Sequence, residues 1–148
     1  MNPLLLFAIL LTVVSGGLAA AQAPTNAMLA RALYSPINAA LASFAVGTLA
    51  LLLIAVSLGV RPDPAATRAL PIHAWFGGLY GAFFVAAAAF SAPKMGITFY
   101  VTALIAGQII VALVIDHYGA FGIAQQPITL TRILGVLLLL AGVFLARR

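Results

Sequence analysis

The chain has 148 residues, 65% hydrophobic and only 6% charged, with a formal net charge of +5 and no cysteine. A soluble domain of this size cannot cover so much apolar surface with so few charges, so the bulk of the chain belongs in lipid. Disulfides and thiolate chemistry are excluded, and the basic residues stand singly between apolar runs, as loop and headgroup charges rather than a nucleic-acid surface.

Five apolar runs follow in chain order, at 3–28, 36–59, 72–91, 96–115 and 129–146. Each is about long enough to cross a bilayer at roughly 1.5 Å per residue. Backbone groups have no water partner in hydrocarbon, so the runs are expected to be helices. The predicted fold is an all-α integral membrane protein, with five transmembrane helices in a single domain over 1–148. Arg31 to Pro36 ends the first run, and Arg61-Pro-Asp-Pro, with Arg68 and Pro71 behind it, ends the second. Ser91-Ala-Pro-Lys94 is read as a short turn between the third and fourth runs. Asp116-His-Tyr-Gly and Gln125-Gln-Pro127 separate the fourth from the fifth.

In the first run, Leu4 to Val14 resembles the apolar segment of a signal peptide and Ala21-Gln22-Ala23 a cleavage site. The start has no Lys or Arg, and Pro24 would directly follow the scissile bond. The run is therefore expected to stay as a membrane helix. At 100° per residue, Thr12, Ser15, Ala19, Gln22 and Asn26 fall within an arc of about 80°. A loop has no reason to keep that register. Pro24 removes the amide that would bond the Ala20 carbonyl, so a kink or loosened turn is expected there. Two readings of the polar face stay open: the lining of a cavity, or amides that bond a neighbouring helix.

The second run carries two small-residue faces, Asn38/Ala42/Ala45 and Ser43/Gly47/Ala50, as expected for close helix packing. Tyr80 is central in the third, beside Gly77 and Gly81, whose spacing permits close approach. Trp75 and Tyr100 are read as interfacial belt residues. In the fourth run Thr98, Thr102 and Gln108 share an arc of about 120°. Gln108 lies near its middle, where an amide needs a helix partner, water or a ligand. In the fifth, Gly135 and Gly142 are seven apart and share one face.

The only acids are Asp63 and Asp116, at helix ends or in loops, and His73 and His117 sit at helix edges. Hydrolysis has no carboxylate pair to use, and no cluster has metal-ligand spacing. Nothing supports an enzyme, and neither metal nor cofactor is expected. Loops after odd-numbered helices carry Arg31, Lys94, Arg147 and Arg148; those after even-numbered helices carry Arg61, Arg68 and Arg132. So small a bias gives the positive-inside rule little to act on. Two copies inserted oppositely would form an inverted-topology pair.

SPINAALASFAVGTLALL (35–52), GGLYGAFFV (77–85), APKMGITF (92–99), GQIIVALVIDHYG (107–119) and RILGVLLLLAGVFL (132–145) together resemble the YdcZ-type branch of the drug/metabolite transporter superfamily. The last two helices also resemble the end of an EamA-type repeat, with Asp116 at its acidic position. The Gly135/Gly142 stretch is similar to the last-helix dimerisation motif of small multidrug resistance proteins. Larger members of the superfamily have ten helices in two inverted repeats, so the resemblance implies one five-helix repeat working as a dimer. The first helix has no acid, so the membrane-embedded glutamate of small multidrug resistance proteins has no counterpart here.

The resulting expectation is a small secondary transporter, multi-pass in the inner membrane. It moves a metabolite or drug-like solute by alternating access as an antiparallel homodimer. Ser15, Gln22, Asn26, Asn38, Tyr80, Thr98, Thr102 and Gln108 are the candidate substrate-binding residues, and Gly135 and Gly142 the candidate dimer contact. The alternative is a membrane scaffold or subunit that pairs with another membrane protein without transporting anything.

Overall fold

A computed structural model describes residues 2–146. Arg147 and Arg148, counted above among the terminal charges, lie outside the described residues, as does Met1. Every regular element among the described residues is helical. The chain forms two compact units, one through Pro93 and one from Lys94 onward.

In the first unit α1 covers Pro3–Ala32 and α2 covers Pro36–Ser57. Asn2 caps α1, its side chain accepting from the Leu4 N–H at 2.9 Å, and Pro3 occupies the first turn, where a missing N–H costs nothing. α1 remains one helix across Pro24. The turn to α2 is three residues long. Tyr34 takes φ +54°, and the Ser35 hydroxyl accepts from the N–H groups of Ile37 and Asn38 at 3.2 and 3.3 Å. Pro36 follows at the first helical position. A connection this short makes α1 and α2 an antiparallel hairpin, and the two helices pack together.

A short helix, α3 (Pro64–Arg68), capped by Asp63 at 2.9 Å, follows α2. A 3₁₀ turn at Ile72–Phe76 then leads into α4, Gly77–Met95. The Ser91–Lys94 turn expected from the sequence is helical. Pro93 forfeits one hydrogen bond, to the Ala89 carbonyl, and α4 continues through it. The break comes at Gly96, with φ +78°, a conformation that a residue without Cβ adopts freely.

The buried apolar residues of this unit are alanines and one valine: Ala23 and Ala27 on α1, Ala39 and Ala40 on α2, and Val85, Ala88, Ala89 and Ala92 on α4. Lipid tails are as apolar as leucine, so helices associate through close van der Waals contact, and alanine permits it. On α2 the packed face is therefore Ala39–Ala40. Of the two faces expected from sequence, Ala42 and Ser43 are half-buried, while Ala45, Gly47 and Ala50 are exposed. A Cβ added to Gly81 would lie 3.0 Å from Phe44 Cζ, so Gly81 supplies the close approach anticipated for it.

The second unit contains α5 (Ile97–Tyr118), a 3₁₀ turn at Ala120–Gly122 and α6 (Leu130–Ala146). α5 packs on α6. α5 outlasts its apolar run by one turn, so Asp116 and His117 are helical. Gly119 ends the helix with φ +60°. The linker back to α6 is closely bonded. The Gln126 N–H donates to the Asp116 carbonyl at 2.7 Å, the Gln125 amide to the His117 carbonyl at 2.8 Å, and the Ile128 N–H to His117 Nδ1 at 3.3 Å. Tyr100, read as an interfacial residue, is buried in the first turns of α5.

Gly119 fixes this linker. A Cβ there would meet the Ile123 carbonyl oxygen at 3.1 Å and the Gln125 Cβ at 3.3 Å. Gly119→Ala is expected to lower stability by about 1–2 kcal/mol from the left-handed conformation alone, with the contacts adding to it. Thermal unfolding in detergent measures this, with Gly47→Ala, whose Cβ would meet nothing within 4 Å, as the comparison.

Candidate functional site

A membrane helix disposes of a hydroxyl cheaply by bonding it to its own backbone. Thr12 donates to the Ala8 carbonyl, Ser15 to Leu11 and Thr25 to Ala21, at 2.8–2.9 Å. An amide has two ends and cannot be satisfied this way. Asn26 carries such an amide into the interior: it is 2% exposed, and its Nδ2 has no hydrogen-bond partner. A buried donor left unmade costs about 1–3 kcal/mol.

Asn26 lines a cleft of about 420 Å³ between α1 and α2. Gln22, half-buried, lies one turn before it, and Thr25 and Ser43 complete the polar lining; Leu18, Leu29, Val46, Ala21 and Ala42 supply the apolar remainder. The hairpin explains the meeting of α1 with Ser43. Asn26 lies eight residues before Tyr34 and Ser43 nine after it, so both helices reach the same depth. That depth is roughly 12 Å from the turn.

The other residues proposed from sequence are placed elsewhere. Ser15 is exposed on α1, its hydroxyl bonded to its own helix. Asn38 donates to the Leu33 carbonyl at 3.3 Å and braces the α1–α2 turn. Tyr80 is exposed, its ring edge-on to Phe76 at 6.5 Å. Thr98, Thr102 and Gln108 belong to the second unit. Thr102 bonds the Thr98 carbonyl at 2.7 Å, and Gln108 is exposed halfway along α5. The polar arc of α1 thus changes character along its length: Thr12, Ser15 and Ala19 are exposed, Gln22 is half-buried and Asn26 is enclosed. Thr25 and Ser43, which line the cleft, were not among the site residues expected from sequence. The equal-distance rule of a tight hairpin was the available signal for Ser43.

A second arrangement of polar groups lies in the second unit. Arg132 Nη1 pairs with Asp116 Oδ2 at 3.2 Å, each side chain about one-third exposed, and the same guanidinium bonds the Gln126 side-chain oxygen. Beside the pair is a cleft of about 340 Å³ along α5 and α6, lined by Ile109, Ala112, Leu113, Gly135 and Val136. Gly135 opens onto this cleft; Gly142 is half-buried further along α6.

Residues 7–145 match the family model described as "Putative inner membrane exporter, YdcZ". The chain belongs to the YdcZ family. It is accordingly an inner-membrane protein of a transporter family rather than of an enzyme family. No curated protein and no solved structure matches it significantly. The motifs that carry the YdcZ resemblance have local structural work: Ser35-Pro36 starts α2, Asn38 braces the turn, and Asp116 and Gly119 end α5.

Water access distinguishes a cleft from packed amides. The chain has no native cysteine, so single cysteines can be read cleanly. Cysteine at Gln22 or Ser43 is expected to react with a water-soluble maleimide in membranes. Cysteine at Leu10 or Val14, exposed on the bare part of α1, is expected to stay unlabelled in lipid. Protection of both cleft positions would make the amides interhelical bonds.

Proposed function

We propose that this YdcZ-family chain is a secondary transporter for a small metabolite or drug-like solute, working by alternating access as an antiparallel homodimer. The observation that carries the reading is Asn26, a buried amide with an unmet donor, on a residue that lines a largely apolar cleft of the α1–α2 hairpin. Such a group is expensive in hydrocarbon and is characteristic of a substrate path. Gln22 and Asn26 form the centre of the proposed binding site, with Ser43 facing them. The four long helices α1, α2, α4 and α5, with the shorter α6, act as one transmembrane domain.

The antiparallel arrangement draws support from charge and symmetry. The two sides differ by one basic residue. A two-fold axis in the membrane plane brings a residue at one depth against a residue at the opposite depth. Gly135 and Gly142 lie three residues before and four after Leu138, the centre of α6. Antiparallel copies of α6 would therefore set Gly135 against the partner's Gly142. Gln108, at the centre of α5, is placed to meet its own copy. Each protomer would present its α1–α2 cleft toward an opposite membrane face.

Two experiments test this. Flux of candidate solutes into proteoliposomes should be abolished by Asn26→Leu, while that variant, which keeps the branched side-chain shape without the unmet donor, should be as stable as the parent or about 1–2 kcal/mol more stable. A clear loss of stability instead would make Asn26 a structural bond. For orientation, a single cysteine near Arg68 or after Arg148 should be about half-labelled by an impermeant reagent in intact cells. Full labelling at one site and none at the other would overturn the antiparallel pair.

A further inference from the structure

The α1–α2 cleft contains enough chemistry to limit what it can hold. Its polar wall consists of two amides and two hydroxyls, with no charged side chain on it among the described residues. Arg31, the nearest basic residue along α1, is exposed and does not line the cleft. A charged ligand entering here would lose its hydration without a counter-charge, which is the most costly form of burial. The Thr25 hydroxyl is already committed to the Ala21 carbonyl at 2.9 Å, so it remains only an acceptor. Asn26 Nδ2 is the donor still unmet; it is enclosed behind the wall, so a ligand meets it as the Asn26 side chain turns into the cleft. The rest of the wall is aliphatic.

We infer that the cleft takes an uncharged, compact solute with an apolar body and a carbonyl-type acceptor on one edge, the acceptor meeting the Asn26 amide. This rests on the transport reading only for what the cleft is used for; the binding chemistry stands on the cleft itself. Gln22, with both a donor and an acceptor, pairs with a second polar group on the same edge, so a secondary amide or lactam satisfies the wall better than an ether or a lone ketone. Its volume, about 420 Å³, admits a ring of this kind together with its substituents. Cations are disfavoured twice, by the absence of an acid and by the unmet donor, which repels them.

Three probes of similar size and different charge decide the matter: caprolactam, cyclohexylammonium and cyclohexanecarboxylate. Each is titrated against the purified full chain in detergent, and the melting temperature is followed. Caprolactam is expected to give a saturable upward shift. The apparent affinity should fall roughly tenfold or more in Asn26→Leu, the factor that about 1.4 kcal/mol represents. Ser43→Ala, a smaller change on the opposite helix, serves as the second variant and should weaken caprolactam with the fold intact. The two ions should give no saturable shift. A saturable response to either ion that equals or exceeds that of caprolactam would overturn the inference. So would an equal caprolactam response in the parent, Asn26→Leu and Ser43→Ala, or no response to any probe. Caprolactam flux in proteoliposomes is measured separately. Saturable, Asn26-dependent binding with no flux would leave the ligand class standing and count against transport.

Discussion

Hydrocarbon offers no hydrogen-bond partners, and the arrangement of this chain follows from that single constraint. The backbone answers it by folding into helices. The hydroxyls answer it by turning back onto the carbonyl one turn earlier, as Thr12, Ser15, Thr25 and Thr102 do. Pro3, Pro36 and Pro64 stand where the lost amide matters least, at the first turns of α1, α2 and α3, while Pro24 and Pro93 each forfeit a bond inside a helix. Among the described residues, Asn26 Nδ2 is the enclosed side-chain atom left without an answer. The economy shown by the hydroxyls makes that exception informative.

The helices were legible because their signal is long and redundant: some twenty apolar residues outweigh any local preference. Their ends were less so. Pro93 reads as a turn in sequence, yet one missing hydrogen bond near a helix end is cheaper than unwinding the last turn, and the break waited for Gly96. Asp116 reads as a loop charge because it is charged, whereas its pairing with Arg132 lets it stay in the helix. The site was legible in part. Helical phase put Gln22 and Asn26 on one face, and both line the cleft. Phase says nothing about where along a helix its neighbours begin, so Ser15 shares that arc and remains exposed. Asn38 looked like a ligand-binding amide and is a turn brace, a role set by its distance from the cap rather than by its chemistry.

The two units solve the problem of polar groups differently. The first buries chiefly alanine, with Asn26 as its enclosed polar residue. The second pairs its acid, Asp116, with Arg132 at the end of α5, where Arg132 also bonds Gln126 of the linker to α6. An ion pair about one-third exposed suits the edge of a membrane, where water still reaches but the dielectric has begun to fall. There it holds the linker in one shape, with Gly119 supplying the bend.

α1, with 30 residues, spans roughly 45 Å, against about 30 Å for a typical hydrocarbon core. It must therefore tilt in the bilayer or project beyond it. The choice sets the depth of the cleft: an upright α1 projecting at its α2 end carries Gln22 and Asn26 toward the headgroups, whereas a tilted one keeps them within the hydrocarbon.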